Sequence, residues 1–365
     1  MKLNNKKSVF SIPPSIRGVL GLSIVVLASC SRILLPNGDR NTPTNCFNQT
    51  WNAVDKNYSF LDYKNINWDS IRLAYGARVS DSMSQDSLFT VLNGMLGELR
   101  DGHVNLKTSY DYGRNWSWFQ NYPDNFNQSF VNRQYLGKTF KRTGSMPNQI
   151  LRDSVGYVEY RSFGAGISTD NLDYIFDRFK DCKAIVIDVR SNGGGSMANI
   201  FKIMGRIVDK KTLVGYYETR QSATRNTFSK KVPYYAEPAK GKTPFTKPVI
   251  VLTNRGCYSA TTHFAGFMSV VPNVTLVGDR SGGGGGLPIS SDLPNGWQLR
   301  FSGTRTTLPD GFNIEHGVPV DIETSTSAKD EIEGKDAIIE AAIEEGLKQF
   351  AIWKAKEDAK KEKKP

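Results

Sequence analysis

Three histidines occur in this 365-residue sequence, at positions 103, 263 and 316. His103 lies in Leu99-Arg100-Asp101-Gly102-His103-Val104, at the end of a helical pattern and beside a turn-forming Asp-Gly pair. An imidazole so placed is a candidate general base, because its ordinary pKa lets it take up and return a proton near neutral pH. On that segment alone the signal is weak, and a structural histidine is the commoner case. A second segment, Asn254-Arg255-Gly256-Cys257-Tyr258-Ser259-Ala260-Thr261, follows an apolar run and opens a helical pattern. A hydroxyl at such a place caps the helix. A strand-to-helix turn is also where nucleophiles are presented, with the next amide free to hold an oxyanion. The third is Asp188-Val189-Arg190-Ser191-Asn192-Gly193-Gly194-Gly195. Consecutive glycines there let backbone N–H groups converge on an anion. The lysine of a P-loop and the spacing of a dinucleotide fingerprint are both missing, which disfavours a phosphate cradle. The fourth, Gly311-Phe312-Asn313-Ile314-Glu315-His316-Gly317-Val318, sets a carboxylate beside a turn glycine. No cysteine spacing suggests zinc, and no cofactor or metal is expected.

Regular elements must bring these segments together. From Asn45 to Leu99 apolar residues recur at helical spacing (Phe47, Trp51, Val54; Ile71, Tyr75; Leu88, Val91, Leu92, Met95), which predicts a small helical domain over residues 45–106. Residues 107–150 form an aromatic-rich connecting segment of turns and irregular strands, with Trp116, Trp118, Phe119, Tyr122 and Phe126. From Ser154 onward strands alternate with helices. Ala184 to Val189 and Pro248 to Leu252 are nearly continuous apolar runs, as expected of strands buried on both faces. Helical patterns fall at 170–180, 197–208 and 259–270, and an amphipathic helix runs from Asp336 to Trp353. The fold class is therefore α/β (α+β), with a core over 151–348 followed by a basic tail, 349–365. His263 stands one helical turn after Ser259 and leans back towards it; it is read as a packing residue, because a partner on the same helix has little freedom to align. His316 is expected at the surface of a turn. The five glycines 282–286 suit either a flap over the cleft or a plain flexible loop.

Taken together and in this order, the segments resemble the C-terminal processing (tail-specific) serine peptidases, family S41. Asp101-Gly102-His103, Asp188 to Gly195 and Asn254 to Ala260 carry the resemblance, with Val277-Gly278-Asp279-Arg280 and Gly317-Val318-Pro319-Val320-Asp321. It implies a crotonase/ClpP-like catalytic core and hydrolysis of peptide or protein substrates. The processing branch pairs its serine with a lysine about 25 residues later; here that position holds Gly284. The gap between Leu106 and Val155 is also too short for the PDZ domain of that branch. What remains resembles the tricorn-like branch. By that resemblance Ser259 is the nucleophile, His103 its base, and Glu315 orients the imidazole directly or through an intervening polar group. Gly193 or Gly194 and Ala260 would supply the oxyanion donors. The competing expectation is an inert module of the same fold that binds apolar ligands or peptides. Retention of both serine and histidine favours the enzyme.

Composition narrows the rest. The chain is 39% hydrophobic and 23% charged, as ordinary globular proteins are. Its net charge of +11 is concentrated at the ends. Lys2, Lys6, Lys7 and Arg17 lead without an acid, and six lysines against three acids close the chain after residue 350. No basic stripe remains in the body, so a nucleic-acid partner is not expected. Residues 1–29 read as a secretory leader: a basic start, then the apolar run Gly18 to Ala28, too short to span a bilayer. Leu27-Ala28-Ser29-Cys30 resembles a bacterial lipobox, which implies lipidation at Cys30, a tether over 30–44, and a lipid-anchored place in the cell envelope. Ser31, where an aspartate would signal inner-membrane retention, points to the outer membrane. Cys46, Cys182 and Cys257 allow at most one disulfide. Oligomeric state is left open by the sequence.

Overall fold

The computed structural model describes residues 32–33, 41–221 and 224–362. The expected leader, Cys30 and most of the tether lie outside the described residues. Three helices open the continuous stretch from residue 41: Pro43–Asn57, Trp68–Gly76 and Gln85–Gly97. Each starts where a side chain can take the first free amides: Thr42 accepts from Asn45 N, Asn67 from Ser70 N and Ser84 from Ser87 N. Trp51 and Trp68 lock the first two helices together, each indole N–H donating to the other's carbonyl at 2.9 and 3.1 Å. The apolar face formed by Cys46, Phe47, Trp51, Leu88, Leu92 and Met95 closes on Leu293, Trp297, Leu299 and Phe301 of a distant hairpin. The helical unit thus shares its core with residues two hundred positions later, a pairing that periodicity along the chain cannot reveal.

That hairpin, Pro288–Asp292 with Gln298–Ser302, continues into Asn105–Lys107 and Tyr112–Arg114 as an antiparallel sheet. The backbone of Arg32–Ile33 adds a parallel edge. A separate seven-stranded sheet forms the centre of the molecule. Its order is Ile322–Glu323, Val274–Gly278, Val249–Thr253, Ala184–Asp188, Val155–Glu159, Met146–Leu151 and Lys141–Thr143. The first five strands are mutually parallel; Met146–Leu151 runs antiparallel to them, and Lys141–Thr143 pairs antiparallel with it. Part of the aromatic-rich connection therefore belongs to the two sheets as strands.

Successive strand residues serve opposite layers, as pleating requires. Ile185, Ile187, Val249, Val251 and Leu276 pack on the helices Thr169–Arg178, Met197–Met204 and Ala260–Ser269. Ala184, Val186, Ile250, Leu252 and Val277 pack on Ile338, Ile339, Ala342 and Ile343 of the last helix. That helix runs from Ala337 to Glu362, so the stretch expected to be a tail from residue 349 is helical almost to its end. Alanine, glutamate and lysine are strong helix formers, and Lys360–Glu357 and Lys361–Asp358 pair along the surface. A three-stranded sheet, Thr304–Thr307, Thr212–Thr219 and Val232–Ala236, flanks the core. No described helix is long and apolar enough to cross a membrane.

Candidate active site

The carboxyl ends of the parallel strands carry the polar segments, where open α/β sheets place their ligands. Val249–Thr253 ends in the turn Asn254 to Tyr258, and the helix Ala260–Ser269 begins directly after Ser259. Ser259 itself has φ 58° and ψ −122°, a conformation that side-chain-bearing residues rarely adopt. Two hydrogen bonds hold it there: Ser259 N donates to Gly283 O at 2.9 Å, and Tyr258 N donates to Asn192 O at 3.0 Å. The sharp turn lifts the hydroxyl out of the helix, so Ser259 makes no capping bond. Such a strained strand–turn–helix elbow is how several hydrolases present a serine.

His103 comes from the other core, between the third helix and the Asn105–Lys107 strand. Its Nε2 lies 2.9 Å from Ser259 Oγ, across 156 residues of chain. The ring rests beside Tyr258 at 5.1 Å between centroids and is almost fully buried. Burial disfavours the imidazolium and lowers its pKa to about 4, against the opposing pull of the Asp101 carboxylate. Its Nδ1 faces Ser302 Oγ at 3.5 Å. Ser302 Oγ donates to Asp101 Oδ2 at 2.9 Å, while Asp101 Oδ1 accepts from the His103 amide at 2.8 Å and from the Tyr258 hydroxyl at 3.2 Å. Burial works to raise the Asp101 pKa, but Lys64, His103 and these donors outweigh it and hold the carboxyl below its ordinary value.

Glu315 is buried in the same cluster, but its contacts are with other groups. Its Oε1 lies 2.6 Å from Lys64 Nζ, and its Oε2 accepts from Gly285 N at 2.8 Å. Lys64 is 4.0 Å from Asp101 Oδ2 and also donates to Tyr58 Oη and to the carbonyls of Leu99 and Arg100. Burial pushes the Glu315 carboxyl up to about 7 despite the ammonium beside it. Any influence of Glu315 on the imidazole therefore passes through Lys64 and Asp101.

The glycine segment after Ala184–Asp188 packs against the serine turn. Gly194, at φ 103°, sits so close that a Cβ there would meet Tyr258 O at 2.7 Å and Ser259 Cβ at 2.8 Å. Its amide donates to Asn192 Oδ1 at 2.9 Å. Among the described residues the amides of Gly193 and Ala260 have no such partner. Of the three expected oxyanion donors, Gly194 is thus already engaged, because the Asn192 side chain folds back on it to fix the loop. The loop's base is a buried ionic cluster in which Arg190 grips Asp188 at 2.7 Å and Asp336 at 2.9 Å.

The remaining expectations sort as follows. His263 is fully buried; its Nδ1 lies 2.9 Å from Ser259 O and its Nε2 3.0 Å from Thr306 Oγ1. A carbonyl can only accept, so Nδ1 carries the proton and Nε2 accepts from Thr306. The ring fastens the elbow and is not directed at the hydroxyl. His316 is half-buried between the rings of Tyr63 and Trp118, at 4.9 and 5.8 Å, rather than loose on a turn. The five glycines are not a flap. Gly283 to Gly286 are buried between Glu315, the serine turn and Thr304, and a Cβ on Gly283 would meet Glu315 O at 2.1 Å. Gly284, where the processing branch has its lysine, has φ 78° and would drive a Cβ to 2.5 Å from the Tyr258 ring. Lys64, Tyr258 and Ser302 escaped sequence reasoning. Lys64 lies in a polar stretch and Ser302 in a strand, neither within a motif, and only the fold gives them their neighbours.

The comparisons with known proteins show the family. The model of peptidase family S41 matches residues 154–324, and that of the tricorn protease C1 domain matches residues 39–97. A candidate peptidase from Parabacteroides merdae, known from its crystal structure, is 41% identical with a TM-score of 0.80; the match covers 84% of this chain and 98% of that one. The chain belongs to peptidase family S41. The C-terminal processing peptidase of Tetradesmus obliquus chloroplasts is 25% identical over 182 residues, 49% of this chain and 37% of its own length. This chain spans little more than a third of the curated relatives it matches. The photosystem II D1 C-terminal processing protease shares the fold, with a TM-score of 0.52 at 16% identity over 78% of this chain and 94% of its own.

Proposed function

We propose that this chain hydrolyses peptide bonds by acyl transfer through Ser259. The observation that carries the reading is the 2.9 Å approach of His103 Nε2 to Ser259 Oγ, with the serine held at φ 58° at the head of a helix. A serine hydroxyl is a poor nucleophile at its own pKa and needs a base within hydrogen-bond reach. Buried and neutral, His103 takes the proton as Ser259 attacks the carbonyl carbon, and returns it to the leaving amine. The acyl-enzyme is then opened by water, activated by the same imidazole. The amides of Gly193 and Ala260 receive the charge that develops on the carbonyl oxygen; one such donor typically contributes about 2.7–4 kcal/mol. Gly194 keeps their loop in place, and Glu315 acts at one remove, through Lys64. The substrates are peptides or proteins of the cell envelope, where the leader and a lipidated Cys30 would hold the enzyme.

A fluorophosphonate probe applied to the purified chain, with mass spectrometry of the adduct, tests the reading. Labelling is expected on Ser259, absent in Ser259→Ala, lost or strongly slowed in His103→Ala and retained in folded His263→Ala. A well-folded wild type that takes no label would overturn it in favour of the inert binding module.

A further inference from the structure

We propose that Ser302 and Asp101 form the arm that orients His103, with Lys64 and Glu315 setting the charge behind it. The inference rests on the peptidase reading, and it assigns positioning roles to Ser302, which lies in no motif, and to Asp101, whose motif gave it no role. To accept a proton from Ser259, Nε2 of the imidazole must be bare, so the ring's proton sits on Nδ1 and needs an acceptor. The group facing Nδ1 is the Ser302 hydroxyl at 3.5 Å, a long contact of the kind that tightens when substrate closes a site. Ser302 can accept there because its own proton is directed to Asp101 Oδ2 at 2.9 Å. Asp101 is fixed in turn by the His103 amide and by Tyr258, itself held by Gly102 N at 2.9 Å. The same strand ties down the histidine's backbone, since Arg300 donates to His103 O and to Asn105 Oδ1.

The placement of the charged groups supports the assignment. Lys64, Asp101 and Glu315 are all buried, one cation against two carboxyl groups. Asp101, behind Ser302, is the carboxylate that an imidazolium formed during attack would face. Glu315, at 2.6 Å, holds the ammonium closer to itself than to Asp101, at 4.0 Å, leaving Asp101 free to serve the Ser302–His103 side. The titratable and charged groups acting on the imidazole are Asp101, which favours its charged form, and Arg300, His263 and Lys64, which oppose it.

The test combines fluorophosphonate labelling across pH with 15N spectra of the histidine rings, on the purified full chain. In the wild type the His103 ring is expected to be neutral at pH 7 with its proton on Nδ1. Ser302→Ala should slow labelling about 10²-fold, the usual scale for a mispositioned acid–base group. It should also weaken the Nδ1 tautomer and shift the acid limb of the labelling profile to lower pH. Asp101→Asn should do the same, and the double variant should be little worse than the worse single one. Should Ser302→Ala fail to fold, Asp101→Asn with the ring spectra carries the same test. A Ser302→Ala protein that keeps the wild-type rate, acid limb and tautomer would overturn the arm while leaving the peptidase reading intact. A wild type that shows the Nδ1 tautomer shifting in both variants, yet takes no label, would support the arm and remove the peptidase reading.

Discussion

His103 and His263 both reach Ser259, and their hydrogen bonds separate their roles. His263 has both nitrogens occupied, by Ser259 O and Thr306 Oγ1, whereas His103 directs one nitrogen at the hydroxyl. Both rings are held to about 4 by burial. Between pH 6.5 and 4 the unfolded chain binds protons at these two positions that the folded chain does not, so stability falls as pH falls through that window. The sum is at most about 3 kcal/mol per ring, from 1.36 kcal/mol per pKa unit. Glu315 runs the other way: its folded carboxyl near 7 keeps a proton that the unfolded one loses above 4.5, so raising pH through that range destabilises. Melting temperature measured against pH should therefore drop below pH 6.5, and His263→Gln should flatten the drop while lowering the melting temperature at pH 7. An unchanged slope in His263→Gln would remove this histidine from the account. The histidine and the serine were legible in the sequence only from the segments taken together, since His103 beside Gly102 and Ser259 at the head of a helical pattern are each inconclusive alone. Ser302 was not, because a serine in a strand has no distinguishing neighbours until the strand pairs with Asn105–Lys107.

At the scale of elements, two turns packed face to face make the site. The elbow at Ser259 and the loop from Ser191 to Gly195 interlock so tightly that Gly194 has no space for a side chain. Gly194→Ala should abolish labelling of Ser259, combining a strained φ with a clash that in packed interiors costs about 1–3 kcal/mol. The check is labelling alongside the melting temperature, since folding should survive. Gly284 gives a second test. Its Cβ would strike the Tyr258 ring, and Tyr258 in turn holds Asp101 and Gly102. Gly284→Lys placed in a His103→Ala background should therefore not restore labelling, even though it recreates the lysine of the processing branch. Recovery of label in that double variant would show the lysine can be seated after all. The buried parallel strands could be read in the sequence from their unbroken apolar runs. The seating of the five glycines could not, because the same composition suits a free loop and a backbone packed where no side chain fits.

Across the whole molecule, the cleft depends on a buried ionic joint between the central sheet and the last helix. Arg190 is fully enclosed and pairs with Asp188 below the glycine loop and with Asp336 at the start of Ala337–Glu362. Removing one partner of such a joint leaves an uncompensated buried charge. Asp336→Ala should cost about 3–5 kcal/mol, read as a fall in the denaturant midpoint, with labelling lost in the same range. The sequence gives no sign of this joint, whose members are 146 residues apart. It also hides the merger of the N-terminal helices with the hairpin around Trp297 and Leu299.

That merger has a consequence for when the protein can act. On the proposed reading the base, His103, arrives with one core and the nucleophile, Ser259, with the other, and the strand bearing Ser302 links them late in the chain. On that reading, a copy whose two cores have not docked holds a serine without its base and would take no label. Activity would then report on the docking of the two cores as well as on the serine turn.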